Sequence, residues 1–389
     1  MENKTDDINQ QPKPEPKPEP EPEPPQSLTE EEYNEASIAE QKNRIQILME
    51  DTSICSLRQS IEDENTPTIK KIQLQTPLVD YEWEIAQKIQ QIPHSVLYFS
   101  NMIEPPTPIQ IGSITEDNID KCIEKQPYKK LPQETKQLVS TTYKRRQAIP
   151  LQQYLYQLKQ SDSEYIFMTI PDTFLQLVYA LKSLQTQENP IILFDIYPNS
   201  ILYDRTPFFS DHRIAIKQQE LLSKEKRHEV IPHYDDPYPT NPIEIWLLSN
   251  IVEQAEPFNS ENLQQYLTTY QTKNQPIFIE EYKTYLQQFQ TLDLLEEELI
   301  KTAPTWDLYS LAVIYKQLCG QLKLEELRVQ INDAPKYPFL EEWYQILESI
   351  INTIPQNRPT IQEIIERIES SFKLVNKELY NSFLLELLE

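Results

Sequence analysis

The stretch Leu193-Phe194-Asp195-Ile196-Tyr197-Pro198-Asn199-Ser200-Ile201-Leu202, followed by Ser210-Asp211-His212-Arg213, decides how this chain is read. Taken alone, Ile191, Ile192 and Leu193 form a short apolar strand, Pro198-Asn199-Ser200 marks a turn, and Ile201-Leu202 opens a second apolar run. Asp211 follows inside another short extended run. Working outward, Phe174, Leu177, Val178, Leu181 and Leu184 recur at helical spacing before the stretch. Far downstream, Trp306-Asp307-Leu308-Tyr309-Ser310-Leu311-Ala312 opens a strongly apolar helix.

Composition narrows what can surround it. The chain has 389 residues, 38% of them hydrophobic, so it can bury a sizeable core. Its 61 acidic and 36 basic residues give a formal charge of −25, which argues against nucleic acid and anionic membranes as partners. No apolar run reaches the length of a membrane span and the amino terminus is acidic, so a soluble, intracellular and by default cytoplasmic protein is expected. Cys55, Cys122 and Cys319 lie far apart, suggesting neither disulfides nor a zinc site. The four histidines, His94, His212, His228 and His233, show no metal-ligand spacing with them. Only Gly112 and Gly320 are glycines, which excludes the glycine-rich phosphate loops, because those need backbone without side chains against the ligand.

Taken in order, residues 1–30 alternate Pro with Glu and Lys and read as a disordered, extended tail. Ser27-Leu28-Thr29-Glu30 then starts an amphipathic helix to about Met49, and residues 31–65 read as an N-terminal helical extension. Residues 100 to 135 are rich in Pro, Lys and Glu and read as an insertion, and Lys144-Arg145-Arg146 reads as a solvated loop. Between Glu244 and Asp307 lie about sixty residues in which Glu261–Thr272 and Glu280–Lys301 read as helices. Tyr282, Leu286, Phe289, Leu292, Leu295 and Leu299 give the second an apolar stripe. Residues 371–389 read as a C-terminal helix and end in Phe383-Leu384-Leu385-Glu386-Leu387-Leu388, apolar enough to dock on the domain or on another chain.

In their order along the chain these segments resemble the protein-kinase family. Asp195 matches the aspartate of the catalytic loop, Asp211-His212-Arg213 the metal-binding loop, and Trp306–Ala312 the central helix of the large lobe. Pro242-Ile243-Glu244 and Asn357-Arg358-Pro359 resemble two motifs whose glutamate and arginine pair, so Glu244, Asp307 and Arg358 are structural candidates. In Pro67-Thr68-Ile69-Lys70-Lys71-Ile72, Lys70 resembles the lysine that grips nucleotide phosphates, with Glu84 in Tyr81–Ile89 as its partner and Glu82 close behind. Pro93–Tyr98 resembles the strand behind that helix. The resemblance implies an α+β, bilobal protein-kinase-like fold: a small β-rich N-lobe over 66–145 and a large helical C-lobe over 146–370, with a helical insertion at about 250–303.

The same resemblance exposes what is missing. Tyr197 replaces the lysine that neutralises the γ-phosphate, and Ser200 replaces the asparagine that holds magnesium, with Asn199 one residue early. Asp211 keeps a metal-binding carboxylate, but Arg213 replaces the glycine beside it. ATP and magnesium are the cofactors the family implies, and these changes count against both. The expectation is a catalytically impaired kinase-like domain, a pseudokinase, that serves as a binding, scaffolding or regulatory module for protein partners. The alternatives are a divergent ATP-dependent serine/threonine protein kinase and a structural component of a large assembly.

Overall fold

Alternation along Ile191–Phe194 divides its side chains between two cores: Ile191 and Leu193 face one cluster of buried side chains, while Ile192 and Phe194 face another. Past the bend at Phe194, Ile196 returns to the first cluster. The computed structural model describes residues 56–59, 68–75, 77–109, 138–161, 166–212, 214–231, 239–253, 279–289, 291–324, 330–331, 334–335 and 338–374. Within them helices and small antiparallel sheets combine into an α+β architecture.

Strands β1 (Ser56–Gln59), β2 (Thr68–Leu74), β3 (Met102–Ile109) and β4 (Leu138–Lys144) make a four-stranded antiparallel sheet in the order β1-β2-β4-β3. Helix α1 (Pro77–Gln90) connects β2 to the β3 side, starting on a proline whose missing N–H costs nothing at a helix start. Val79, Glu82, Ile85, Ala86 and Ile89 form its buried face. Ser56–Gln59, which falls in the expected helical extension, is a strand because it pairs residue for residue with Gln73–Lys70 of β2. The stretch Pro93–Tyr98, expected as a strand, instead turns at His94, whose φ is 62°, and forms the short helix α2 (Ser95–Tyr98). The strand follows as β3, an edge strand whose Pro105, Pro106 and Pro108 lack donors that a further strand would need.

A short strand, β5 (Ile149–Pro150), leads into the helices α3 (Leu151–Ser161) and α4 (Ile166–Gln185). Then come β6 (Ile191–Ile192), β7 (Ile201–Asp204), β8 (Thr206–Phe209) and β9 (Ile216–Lys217), with β6 paired to β9 and β5-β7-β8 forming a small sheet. Helices α5 (Gln218–Leu222), α6 (Lys224–Val230) and α7 (Ile243–Glu253) follow. The expected helix Glu280–Lys301 is two helices, α8 (Ile279–Leu286) and α9 (Leu292–Lys301), with Thr291 capping the second by accepting from Leu294 N–H. Arg213 and Glu261–Thr272 lie outside the described residues, as do residues 1–55, 110–137 and 375–389.

Helix α10 (Trp306–Gln321) is buried nearly all round and forms the axis of the helical part. Tyr315 on α10, Phe174 on α4 and Trp343 on α11 (Pro338–Ile351) meet edge to face, with centroids 5.0 and 4.9 Å from the Phe174 ring. Helix α12 (Ile361–Ser371) closes this core with Ile361, Ile364, Ile365 and Ile368. A capping box starts it: Thr360 Oγ1 accepts from Glu363 N–H, and Thr360 N–H donates to Glu363 Oε2 at 2.7 Å. Thr360→Ala is expected to cost about 1 kcal/mol in urea denaturation, because the Glu363 amide then loses its side-chain acceptor.

The basic run expected to be a solvated loop is not one. Arg146 Nε donates to Asp204 Oδ2 at 3.2 Å, and its terminal nitrogens donate to the carbonyls of Val96, Leu97 and Asp204. The guanidinium lies 3.7 Å from the Phe208 ring centroid. Arg146 thereby satisfies α2 carbonyls that have no helical partner and ties them to the β7–β8 hairpin. Nearby, Ser100 N–H donates to Phe209 O at 2.9 Å, and Phe99 stacks on Phe209.

Candidate functional site

A lysine on β2 and a glutamate on α1 do form a pair, made by Lys71 and Glu82 in place of Lys70 and Glu84. Lys71 Nζ stands 3.0 Å from Glu82 Oε1, with side chains 11% and 2% exposed. Tyr143 OH donates to the same oxygen at 2.6 Å, its ring lies 5.8 Å from Lys71 Nζ, and the buried His212 ring meets Tyr143 edge-on. Lys70 is exposed, and Glu84 pairs with Lys217. The cause is helical phase: Glu82 falls in line with Val79, Ala86 and Ile89, whereas Glu84 points to the other side of α1. Tyr143 and Lys217 carried no local pattern that would have marked them.

The loop around Asp195 is held from below by Asp307. Leu193 N–H donates to Asp307 Oδ2 at 2.7 Å and Phe194 N–H to Oδ1 at 3.0 Å. This carboxylate bridges two successive amides where the backbone bends, since Phe194 sits at φ 69°, a conformation that costs a side-chain-bearing residue about 1–3 kcal/mol. The Phe194 ring packs edge-on against Trp306, 5.9 Å away. Burial raises the Asp307 carboxyl to about 7, even though the two amide bonds pull it down.

Beyond the loop the polar groups are turned on one another. Tyr197 OH donates to Asp211 Oδ2 at 2.9 Å. Ser200 is buried; its Oγ donates to Tyr197 O at 2.7 Å and accepts from Tyr197 N–H at 3.1 Å, which closes the short turn Pro198–Ser200. Asn199 is exposed and Asp195 half-buried. A magnesium ion needs several oxygens converging at about 2.1 Å. Asp211 accepts from a phenol through Oδ2, and Ser200 faces its own turn. Among the described residues, no group of three or more His, Cys, Asp or Glu side chains is placed to hold a metal.

The expected structural pair is formed. Arg358 lies 2.7 Å from Glu244 Oε1, with side chains 1% and 0% exposed. Tyr282 of α8 joins it: its hydroxyl donates to Glu244 at 2.9 Å and accepts from Arg358 at 2.8 Å. Burial pushes the Tyr282 phenol well up, which keeps the proton it donates. The Arg358 guanidinium also stacks 4.5 Å over Tyr309. Sequence placed Tyr282 on the apolar stripe but gave no sign of its hydroxyl's role.

Elsewhere, a groove of about 460 Å³ is lined by Glu281, Thr284, Tyr285, Gln288, Ile354 and Asn357, where α8 meets the loop before α12. Among the described residues no helix is long and apolar enough to cross a membrane. No protein-family model matches the sequence, and no curated protein is significantly similar to it.

Proposed function

We propose that residues 66 to 370 form a bilobal, protein-kinase-like fold whose phosphotransfer centre has been dismantled, and that the domain works as a binding or scaffolding module for protein partners. The observation that carries this reading is the Tyr197–Asp211 hydrogen bond. It fills the position of the phosphate-neutralising lysine with a neutral phenol and turns that phenol onto the carboxylate that would hold the metal. Phosphoryl transfer depends almost wholly on charge stabilisation, and losing one such group costs on the order of 3 kcal/mol in the barrier. Retention of Lys71–Glu82, Asp307 under the loop, and Glu244–Arg358 supports the family resemblance.

The Lys71–Glu82 pair also favours a second reading, a divergent serine/threonine kinase in which Lys71, Asp195 and Asp211 carry the reaction. A thermal-shift titration with ATP, with and without magnesium, separates the two. Ligand that binds only the folded state raises Tm, by about 2.7 kcal/mol of stabilisation at a hundred times Kd. The expected result is no magnesium-dependent shift at millimolar ATP. A magnesium-dependent rise that disappears in Asp211→Ala would overturn the module reading in favour of the kinase.

A further inference from the structure

Lys217 takes no part in the contacts around Asp195 and Asp211, yet it is buried, and three polar side chains converge on it from two elements. Its Nζ pairs with Glu84 Oε1 of α1 and, at 3.2 Å, with Glu220 Oε1 of α5. Its backbone N–H donates to Tyr81 OH at 2.9 Å, and that hydroxyl donates in turn to Glu220. Nζ also lies 5.0 Å from the Tyr81 ring centroid. Both Glu220 oxygens, the phenol and the ammonium are therefore engaged in one closed arrangement.

The geometry couples this cluster to Lys71. Tyr81 and Glu84 are three residues apart and share a face of α1, while Glu82 lies on the neighbouring face beside Ala86 and Ile89. A helix turns as a unit. Any rotation of α1 that draws Glu82 away from Lys71 also pulls Tyr81 and Glu84 off Lys217, and a rotation permitted by losing Lys217 releases Glu82.

We propose that Lys217 is a positioning residue, an ionic latch carried by β9 that fixes the rotation of α1 and thereby holds Glu82 on Lys71. This stands on contacts within the chain and holds whether or not the domain performs a reaction.

Hydrogen exchange followed by mass spectrometry on the full chain tests it, comparing wild type with Lys217→Met and Lys217→Arg. Methionine keeps the length of the side chain and removes the charge. Amides of residues 77–90 are expected to exchange about tenfold faster in Lys217→Met, while those of α10 and α11 keep their rates. Lys71 should be acylated faster by an amine-reactive ester, a readout of the pair itself, and Lys217→Arg should restore both values toward wild type. Unchanged exchange over 77–90, unchanged Lys71 reactivity, or equal acceleration throughout α1, α10 and α11 would each overturn the latch. If Lys217→Met does not fold, Tyr81→Phe removes the phenol alone. Faster exchange confined to 77–90 would then support the latch, and unchanged exchange would overturn it.

Discussion

Arg358→Met is expected to lower the melting temperature by about 10 °C. Removing one member of a buried pair leaves the other charge stranded, at a cost of about 3–5 kcal/mol, and in domains of this size each kcal/mol moves Tm by about 2–4 °C. Among the described residues, Glu244 would be left with only the Tyr282 hydroxyl at 2.9 Å to stabilise a fully buried carboxylate. The loss would spread, because Arg358 also donates to Thr305 and covers Tyr309. Differential scanning calorimetry of the single variant and of Arg358→Met combined with Glu244→Gln checks the mechanism. The double variant should recover part of the lost stability, since no charge then stays behind. If both melt alike, loss of packing rather than a stranded charge is responsible.

Asp307 is expected to make stability fall as pH rises from about 4 to 7. Its carboxyl titrates near 7 in the folded protein because it is buried, against about 3.9 in an unfolded chain. Between those values the native state holds a proton that the unfolded state has released, so this contribution is complete below about pH 4 and lost as pH rises through 7. Three pKa units correspond to a change on the order of 4 kcal/mol. An asparagine in its place would not titrate, and its NH2 group would face one of the two amide donors now bound by Asp307. Urea denaturation of wild type and Asp307→Asn from pH 4.5 to 8 reads this directly. The stability gap between them should narrow with rising pH as wild type loses its share. A constant gap would show that the carboxyl does not titrate in that window.

What could be read from the chain alone follows a physical division. Glu244, Asp307 and Arg358 were marked by the motifs they resemble; Glu244 pairs with Arg358, and Asp307 accepts from the amides of Leu193 and Phe194. The mixed helical and sheet character was legible too, from the helical spacing in 174–184 and the short apolar runs of 191–202. The Lys71–Glu82 pair was missed by small steps for different reasons. On α1 the apolar phase does favour Glu82. On β2 each face offers one isoleucine and one lysine, Ile69 with Lys71 and Ile72 with Lys70, so alternation alone cannot choose, and contact with α1 decides. β3 was hidden by its prolines, which mark a loop in sequence and an unextended edge in three dimensions. Tyr143 and Tyr282 act through partners remote in sequence, as Lys217 does toward Tyr81 and Glu84, and no local pattern records such contacts.

Arg146 has a consequence for recognition. With its guanidinium bonded to Asp204 and to the carbonyls of Val96 and Leu97, the segment joining the sheet to the helices cannot bend without breaking those bonds together. A partner that spans both regions would meet a preorganised surface. Little ordering entropy would be lost on association, and affinity would depend on how well the two shapes match rather than on the work of bringing one of them into form.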